Sequence, residues 1–386
     1  MANTPPQIPF TAPPFAKAEY DGRHRKVFEA MEREQLDALL VTAHGHLYYL
    51  SGYPGTGGYF APFPLILVAG QAPIFVARKF DVEAVRAESC VGEVVEYAQE
   101  GEFAKVCANV LRKLGLQGRR IGLELGCWNL APRDVFALRA ELPDVNIVDA
   151  THLVPTIAAV KSDLEIKLMR EAMVTTELAV TTFQRSLREN VTEEEVFQAI
   201  VAEVREAGGV LAPAYSLLFG SRLRLPHGTA RKHPLTNNDA AFIEIGGTRH
   251  AYAAALCRSA VLGRNSSAES LHKFAEEALG AAIGALKPGV TTGEVDAAAR
   301  SVLARAGRQD AFRHRTGYQM GINWSERGNL SLEPDASQVI ETGMTFHMPI
   351  ILFDEQGYQI GCSDTVIVNE RGAESLGKSS SVLYRA

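Results

Sequence analysis

Two regimes of apolar spacing divide the chain. From Ala18, AEYDGRHRKVFEAMEREQLDALLVT places apolar residues at helical 3–4 spacing and then passes into the apolar run DALLVT, which predicts a helix followed by a strand. Short runs at FPLILVA, APIFVAR, EVVEYA, RRIGLEL and NIVDAT read as further strands. Helical spacing returns between them in FDVEAVRAESC, FAKVCANVLRKLGL and APRDVFALRAELP. Strand and helix alternating in this way predict one α/β domain over residues 1–157, with the Pro-rich residues 1–16 as an extended arm.

Near residue 158 the pattern lengthens. VPTIAAVKSDLEIKLMREAMVTTELAVTTFQRSLRE reads as a long helical stretch, with Ser162 or Asp163 as N-cap and Glu165 in the first turn. TEEEVFQAIVAEVREAGG follows, opening on a Thr-x-x-Glu capping box and closing on a Gly pair. Strand-like YSLLFG, DAAFIEIGG and AYAAALCRSAVLG precede two helical segments around SLHKFAEEALGAAIGAL and TTGEVDAAARSVLARAG. GMTFHMPIILFD, YQIGCSDTVIVNERG and AESL return to strand. Residues 158–386 therefore predict a second, α+β domain.

Composition narrows the function. The 386 residues include Lys+Arg 39 against Asp+Glu 45, a net charge of −6, which disfavours nucleic acid or an anionic membrane as partner because phosphate binding draws on clustered basic residues. No apolar run reaches the ~18–20 residues of a membrane span. The first residues lack the charged-then-apolar order of a signal peptide. Cys90, Cys107, Cys127, Cys257 and Cys362 are odd in number and without a C-x-x-C pair, the expectation for free thiols in a reducing cytoplasm.

In order, the second half carries VKSDLEIKLMREA, PHGTARKHPL, IEIGGTRHAYAAALCRS, LKPGVTTGEV, HRTGYQMGINWSER, IETGMTFHMP and SDTVIVNERGAESL. With these segments the chain resembles the creatinase / aminopeptidase P / methionine aminopeptidase superfamily. The first half, through EYDGRHRKVFEAMEREQLDALLVTAHGHLYYLSGY, resembles the N-terminal domain of its two-domain members. The resemblance spans residues 17–376. It implies an α/β N-terminal domain followed by an α+β pita-bread (creatinase-like) catalytic domain, and a homodimer.

Metal-dependent members hold two ions with Asp, Asp, His, Glu and Glu. Carried over, the first Asp falls on Glu244, the second on Ala255 and the His on His314. The first Glu falls on Met348 or His347, because this chain is one residue short there, and the last on Ser363. Hard divalent ions need several oxygen ligands, so no dinuclear centre and no cofactor is expected. A single ion on Glu244, His314 and His347 is the remaining metal reading. The nearer resemblance is to ectoine hydrolase, through HGT, EIGG, HR-x-GY-x-x-GI, Trp324, Glu326, Arg327 and GMTFH. Creatinase-type enzymes carry guanidinium-binding glutamates where this chain has Cys257 and Met348 (or His347), which argues against creatine. The hairpin tip RHAYAAAL departs from the ectoine branch as well.

This reading implies a metal-independent hydrolase opening a C–N bond of a small, polar, carboxylate-bearing molecule. Its rivals are an Xaa-Pro metallopeptidase and a non-catalytic binding module. Such hydrolysis needs a base for water, donors for developing charge and an acid for the leaving nitrogen. His227 matches the proton-shuttling histidine of creatinase; its bland alternative is ordering a loop. Glu244, in an apolar strand, either holds a cationic nitrogen, acts as base, or pairs structurally with Arg258. His314 as a catalytic residue and His347 as a substrate-binding one are expected in the same pocket, or else as bonded core histidines. Glu326 and Arg327 are expected to bind substrate, Arg327 gripping a carboxylate. Cys257 and Arg258 are also expected at the substrate, and beside that arginine Cys257 is either a reactive thiol or a small buried hydrophobe. Tyr252 and Tyr318 are candidate pocket walls. In YYLSGYPGTGGYF, Tyr53 or Tyr59 either completes a partner's site or packs a loop.

Overall fold

A computed structural model describes residues 13–55, 62–99, 102–324 and 328–386. The chain divides into two compact units, Met1–Ile157 and Ala158–Ala386. In the first, strands β1 (Ala38–Val41), β2 (Leu65–Leu67), β3 (Ile74–Arg78), β4 (Glu93–Tyr97), β5 (Arg120–Leu123) and β6 (Asn146–Asp149) form one mixed sheet in the order β4-β3-β2-β1-β5-β6. β1, β5 and β6 run parallel, and β2 pairs antiparallel with β1 and β3. Helices α1 (Lys17–Arg33), α2 (His44–Ser51), α3 (Val82–Glu88), α4 (Phe103–Lys113) and α5 (Pro132–Glu141) accompany the strands. Tyr53 is buried here with its ring edge-on to Phe75, so it serves packing within its own unit. Tyr59 lies outside the described residues.

A buried acid organises the start of α2. Its N-cap is Ala43, which offers no capping oxygen. Glu124, just after β5, supplies one: its carboxylate accepts from the N–H groups of Thr42 at 2.6 Å and Ala43 at 2.7 Å, and from His46 Nδ1. Burial alone would raise its pKa. His46 and the two backbone donors outweigh burial and hold it below the ordinary carboxylate value.

The long helix read from residue 154 is two helices, α6 (Leu153–Ala159) and α7 (Asp163–Ser186). Between them Lys161 Nζ donates to the carbonyls of Ala158 at 2.6 Å and Ala159 at 3.1 Å, satisfying the end of α6. Ser162 then caps α7 in a reciprocal box with Glu165, which decides between the two candidate caps. The Thr192 box starts α8 (Glu193–Glu206) as read, and Thr291 forms a third box at α10 (Thr292–Arg305), after α9 (Ser266–Ala285).

The strands of this unit form two sheets. One has the order β15-β9-β8-β7, from β7 (Val210–Phe219), β8 (Ala240–Arg249), β9 (Tyr252–Val261) and β15 (Tyr384–Arg385). The other runs β11-β10-β12-β13-β14, from β10 (Gly317–Gln319), β11 (Ser331–Leu332), β12 (Thr345–Phe353), β13 (Gln359–Asn369) and β14 (Gly372–Ser375). α7 packs on the β8–β9 hairpin and α9 on β12 and β13. The Gly pair of β8 permits close contacts on both faces of that strand. A Cβ on Gly247 would stand 2.5 Å from the Ala172 carbonyl of α7, and one on Gly246 would stand 3.1 Å from the Trp324 ring. Thr176 of α7 fastens the approach, accepting from Gly247 N–H at 2.7 Å and donating to Ala254 O at 2.8 Å.

Candidate active site

Strand register decides which candidates meet. Glu244 stands opposite Cys257 in the hairpin, and Ile243 opposite Arg258. Neighbours along a strand face opposite ways, so Glu244 and Cys257 share a face that Arg258 leaves. On β12 and β13 the pairs are His347 with Thr365 and Met348 with Asp364. His347 reaches Glu244 and Cys257, and the ligating atoms of the three lie within 4.8 Å of one another. Met348 packs in the apolar core, which resolves the one-residue ambiguity in favour of His347.

His347 is fully buried and bonded on both sides. Its Nδ1 meets Tyr318 Oη at 2.9 Å and its Nε2 meets Ser363 Oγ at 2.8 Å. Trp324 Nε1–H donates to the same tyrosine oxygen at 2.9 Å. The Ser363 hydroxyl also accepts Cys257 N–H at 2.6 Å. Next along, Thr365 Oγ1 accepts Ala255 N–H at 3.0 Å and donates to Ala255 O at 2.8 Å. Hydroxyls on β13 thus lace it to β9 at the positions that carboxylates would need.

A cleft of about 290 Å³ opens above this group. Its lining includes His227, Glu244, Arg313, His314, Arg315 and Tyr318, with Phe242, Pro349 and Phe353 as apolar wall. His227 is exposed at the rim and holds a positive φ of 60°, a conformation that costs energy outside glycine and clusters at functional sites. Arg315 stacks over the Tyr318 ring and donates to Ser331 Oγ at 3.0 Å. Arg313 lies over Phe353. Both guanidiniums are additions to the sequence reading. Arg315 sat inside the quoted HRTGY segment, and only the folded cleft distinguishes it from a surface arginine.

Several expectations need correction. Arg258 is not at the substrate. It is fully buried on the far side of β9, donating to Cys257 O at 2.9 Å, Ser363 O at 2.6 Å and Ser379 O at 2.9 Å, with Asp364 at 3.5 Å. Glu244 therefore does not pair with it. Tyr252 is no pocket wall: its hydroxyl donates to Glu165 of α7 at 2.8 Å. The Cys257 thiol is not activated by Arg258, because burial and then the Glu244 carboxylate push its pKa well above the ordinary value. His314 lines the cleft but stays outside the donor group, its Nδ1 on Arg315 O at 2.8 Å. Desolvation lowers its pKa below the ordinary histidine value. From the same segment it is Tyr318 that reaches His347. Glu326 and Arg327 lie outside the described residues.

Comparison with known proteins decides the family. The model of metallopeptidase family M24 matches residues 167–370, more than half of the chain, and that of the creatinase/prolidase N-terminal domain matches residues 23–160. The chain belongs to metallopeptidase family M24. Over 380 residues it is 29% identical to an uncharacterized hydrolase/peptidase, y4tL, of Sinorhizobium fredii, covering 95% of this chain and 96% of that one. It is 25% identical over 359 residues to an Xaa-Pro dipeptidase of Pyrococcus horikoshii, covering 92% and 96%. The crystal structure of dipeptidase PepE from Mycobacterium ulcerans superposes with a TM-score of 0.84 at 25% identity, covering 96% and 99%. The pita-bread fold and a hydrolase or peptidase activity of the family accordingly hold for this M24 chain.

The M24 name implies metal, and the residues present can be tested against it. A two-ion centre of the kind the resemblance implies needs four carboxylates and a histidine. The five corresponding places here hold Glu244, the methyl of Ala255, His314, His347 and the Ser363 hydroxyl, with Ala255 and Ser363 already engaged between the sheets. One carboxylate cannot bridge and neutralise two hard cations. The residues do not fit a dinuclear centre.

Proposed function

We propose that this M24 protein hydrolyses a C–N bond of a small, polar, carboxylate-bearing molecule without the two-ion centre of its family, acting as a homodimer in the cytoplasm. One observation carries the reading. The ligand positions have lost the capacity for two ions, yet the cleft beside them still gathers two histidines, a carboxylate and two guanidiniums. His227 at the rim takes a proton from water and returns it to the departing nitrogen, work suited to an imidazole near neutral pH. Glu244, half-buried at the floor, holds the nitrogen that gains positive charge. Arg313 and Arg315 favour a carboxylate at the other end, where a guanidinium fork binds it bidentately. Tyr318 donates or accepts beside the reacting group.

The test is turnover by chelator-treated full-length protein on a panel of cyclic amidines, lactams, guanidino acids, N-acyl amino acids and Xaa-Pro dipeptides. Activity on a small carboxylate that survives chelation, and that falls about 100- to 10,000-fold in His227→Ala, supports the proposal. Activity that appears only on adding back metal, or that ignores the His227 substitution, rejects it. A dipeptide is the rival substrate, favoured by the activity named for the P. horikoshii relative. Proline release in the dipeptide arm alone would decide for it.

A further inference from the structure

Glu244, Cys257 and His347 offer one oxygen, one sulfur and one nitrogen, mutually within 4.8 Å; Glu244 lines the cleft, and the other two are fully buried behind it. We propose that these three residues form a mononuclear site for a thiophilic divalent ion, Zn²⁺ being the one whose preferences they match. The donor set is unlike that of the family's two-ion centre, since a thiolate replaces carboxylates. Sulfur with imidazole and a single carboxylate selects zinc over magnesium, calcium or manganese, which call for oxygen-rich cages.

Size and support agree with this assignment. Zinc bonds of about 2.0–2.3 Å put ligand atoms roughly 3.5 Å apart in a tetrahedron, so the three side chains close on an ion by shifts of about 1 Å. Three protein ligands leave a fourth position, and Glu244, which lines the cleft, is the one ligand of the three that is not fully buried. A metal-bound histidine is normally oriented by a hydrogen bond at its other nitrogen. Tyr318 Oη stands 2.9 Å from His347 Nδ1 and is itself fixed by the Trp324 indole N–H. With the proton on Nδ1 donated to Tyr318, Nε2 exchanges its contact with Ser363 for the ion. Binding replaces the Cys257 Sγ proton, which leaves to solvent, and the charge balance is thiolate and carboxylate against one dication.

The probe is Co²⁺, titrated into reduced, chelator-stripped full-length protein under nitrogen. One equivalent should produce a thiolate-to-cobalt charge-transfer band in the near ultraviolet, displaced by one equivalent of Zn²⁺. Cys257→Ser should abolish the band while its melting transition persists. Tyr318→Phe should keep the band but weaken Zn²⁺ binding about 10- to 100-fold, as expected when the group orienting a ligand is lost. Should Cys257→Ser not fold, Glu244→Gln carries the test through reduced Zn²⁺ affinity. Absence of the band in the unaltered protein overturns the site. So does a band that persists in Cys257→Ser, or Mg²⁺, Ca²⁺ or Mn²⁺ binding as tightly as Zn²⁺. One consequence rests on the hydrolytic reading above: an ion that takes Glu244 competes with substrate, so Zn²⁺ inhibits turnover. The cobalt spectrum does not depend on that reading, and the two can fail separately.

Discussion

Single residues in this chain take their roles from which way a strand turns them. Cys257 and Arg258 are adjacent, yet one joins Glu244 under the cleft while the other is buried on the opposite side. The arginine closes a polar knot with three carbonyls and Asp364, whose pKa burial raises and Arg258 lowers. Removing one partner of such a knot leaves the others buried and unmet, at about 3–5 kcal/mol. Arg258→Ala should therefore lower the unfolding free energy by that amount, read from the fall in denaturant midpoint at unchanged m. A variant of unchanged stability but weakened substrate affinity would return Arg258 to the substrate. None of this was legible from the pair itself, since sequence adjacency gives no sense of which face is buried against what.

At the scale of elements, the β8–β9 hairpin is held by contacts that glycine permits. Gly246 and Gly247 lie within β8 and not at the hairpin turn. Their use is close approach, to Trp324 on one side and to α7 on the other. Gly247→Ala would drive a methyl into the Ala172 carbonyl, and backbone cannot step aside as a flexible side chain can. Overpacking of this kind costs typically about 1–3 kcal/mol, and we expect the upper end, with a matching fall in thermal midpoint. Wild-type stability in that variant would mean that α7 is free to retreat. The capping boxes behaved differently. Thr192 with Glu195 was readable directly, because a box is closed within four residues and needs nothing from the rest of the fold.

At the scale of the whole molecule, the first unit carries an acid-sensitive joint. Glu124 is buried, and its folded pKa lies below its unfolded one. A depressed carboxylate contributes stability that is complete above the unfolded pKa and is lost as pH falls through the folded one. Acidification from pH 6 toward pH 3 should thus weaken the first unit. Glu124→Gln should already be weaker at neutral pH by about 1.5–3 kcal/mol, the worth of hydrogen bonds to a charged group, and should respond less to acid. Unfolding followed by circular dichroism across that range checks both. Equal acid slopes in the two proteins would remove Glu124 as the cause. No helix among the described residues is long and apolar enough to cross a membrane.

By itself the sequence determined most of the succession of elements, the change of regime near residue 158 and the Thr192 box, and through its resemblance it marked the loss of carboxylates at Ala255 and Ser363. These depend on local spacing or on the chemistry of one position. Only the tertiary structure decided that His347 rather than Met348 joins Glu244 and Cys257, that Tyr318 rather than His314 bonds to it, and that Arg313 and Arg315 line the cleft. Each of those outcomes rests on strand register and on the packing of one sheet against another. A shift of one residue in register exchanges the two faces of a strand, and no local pattern in this chain specifies the partner that fixes it.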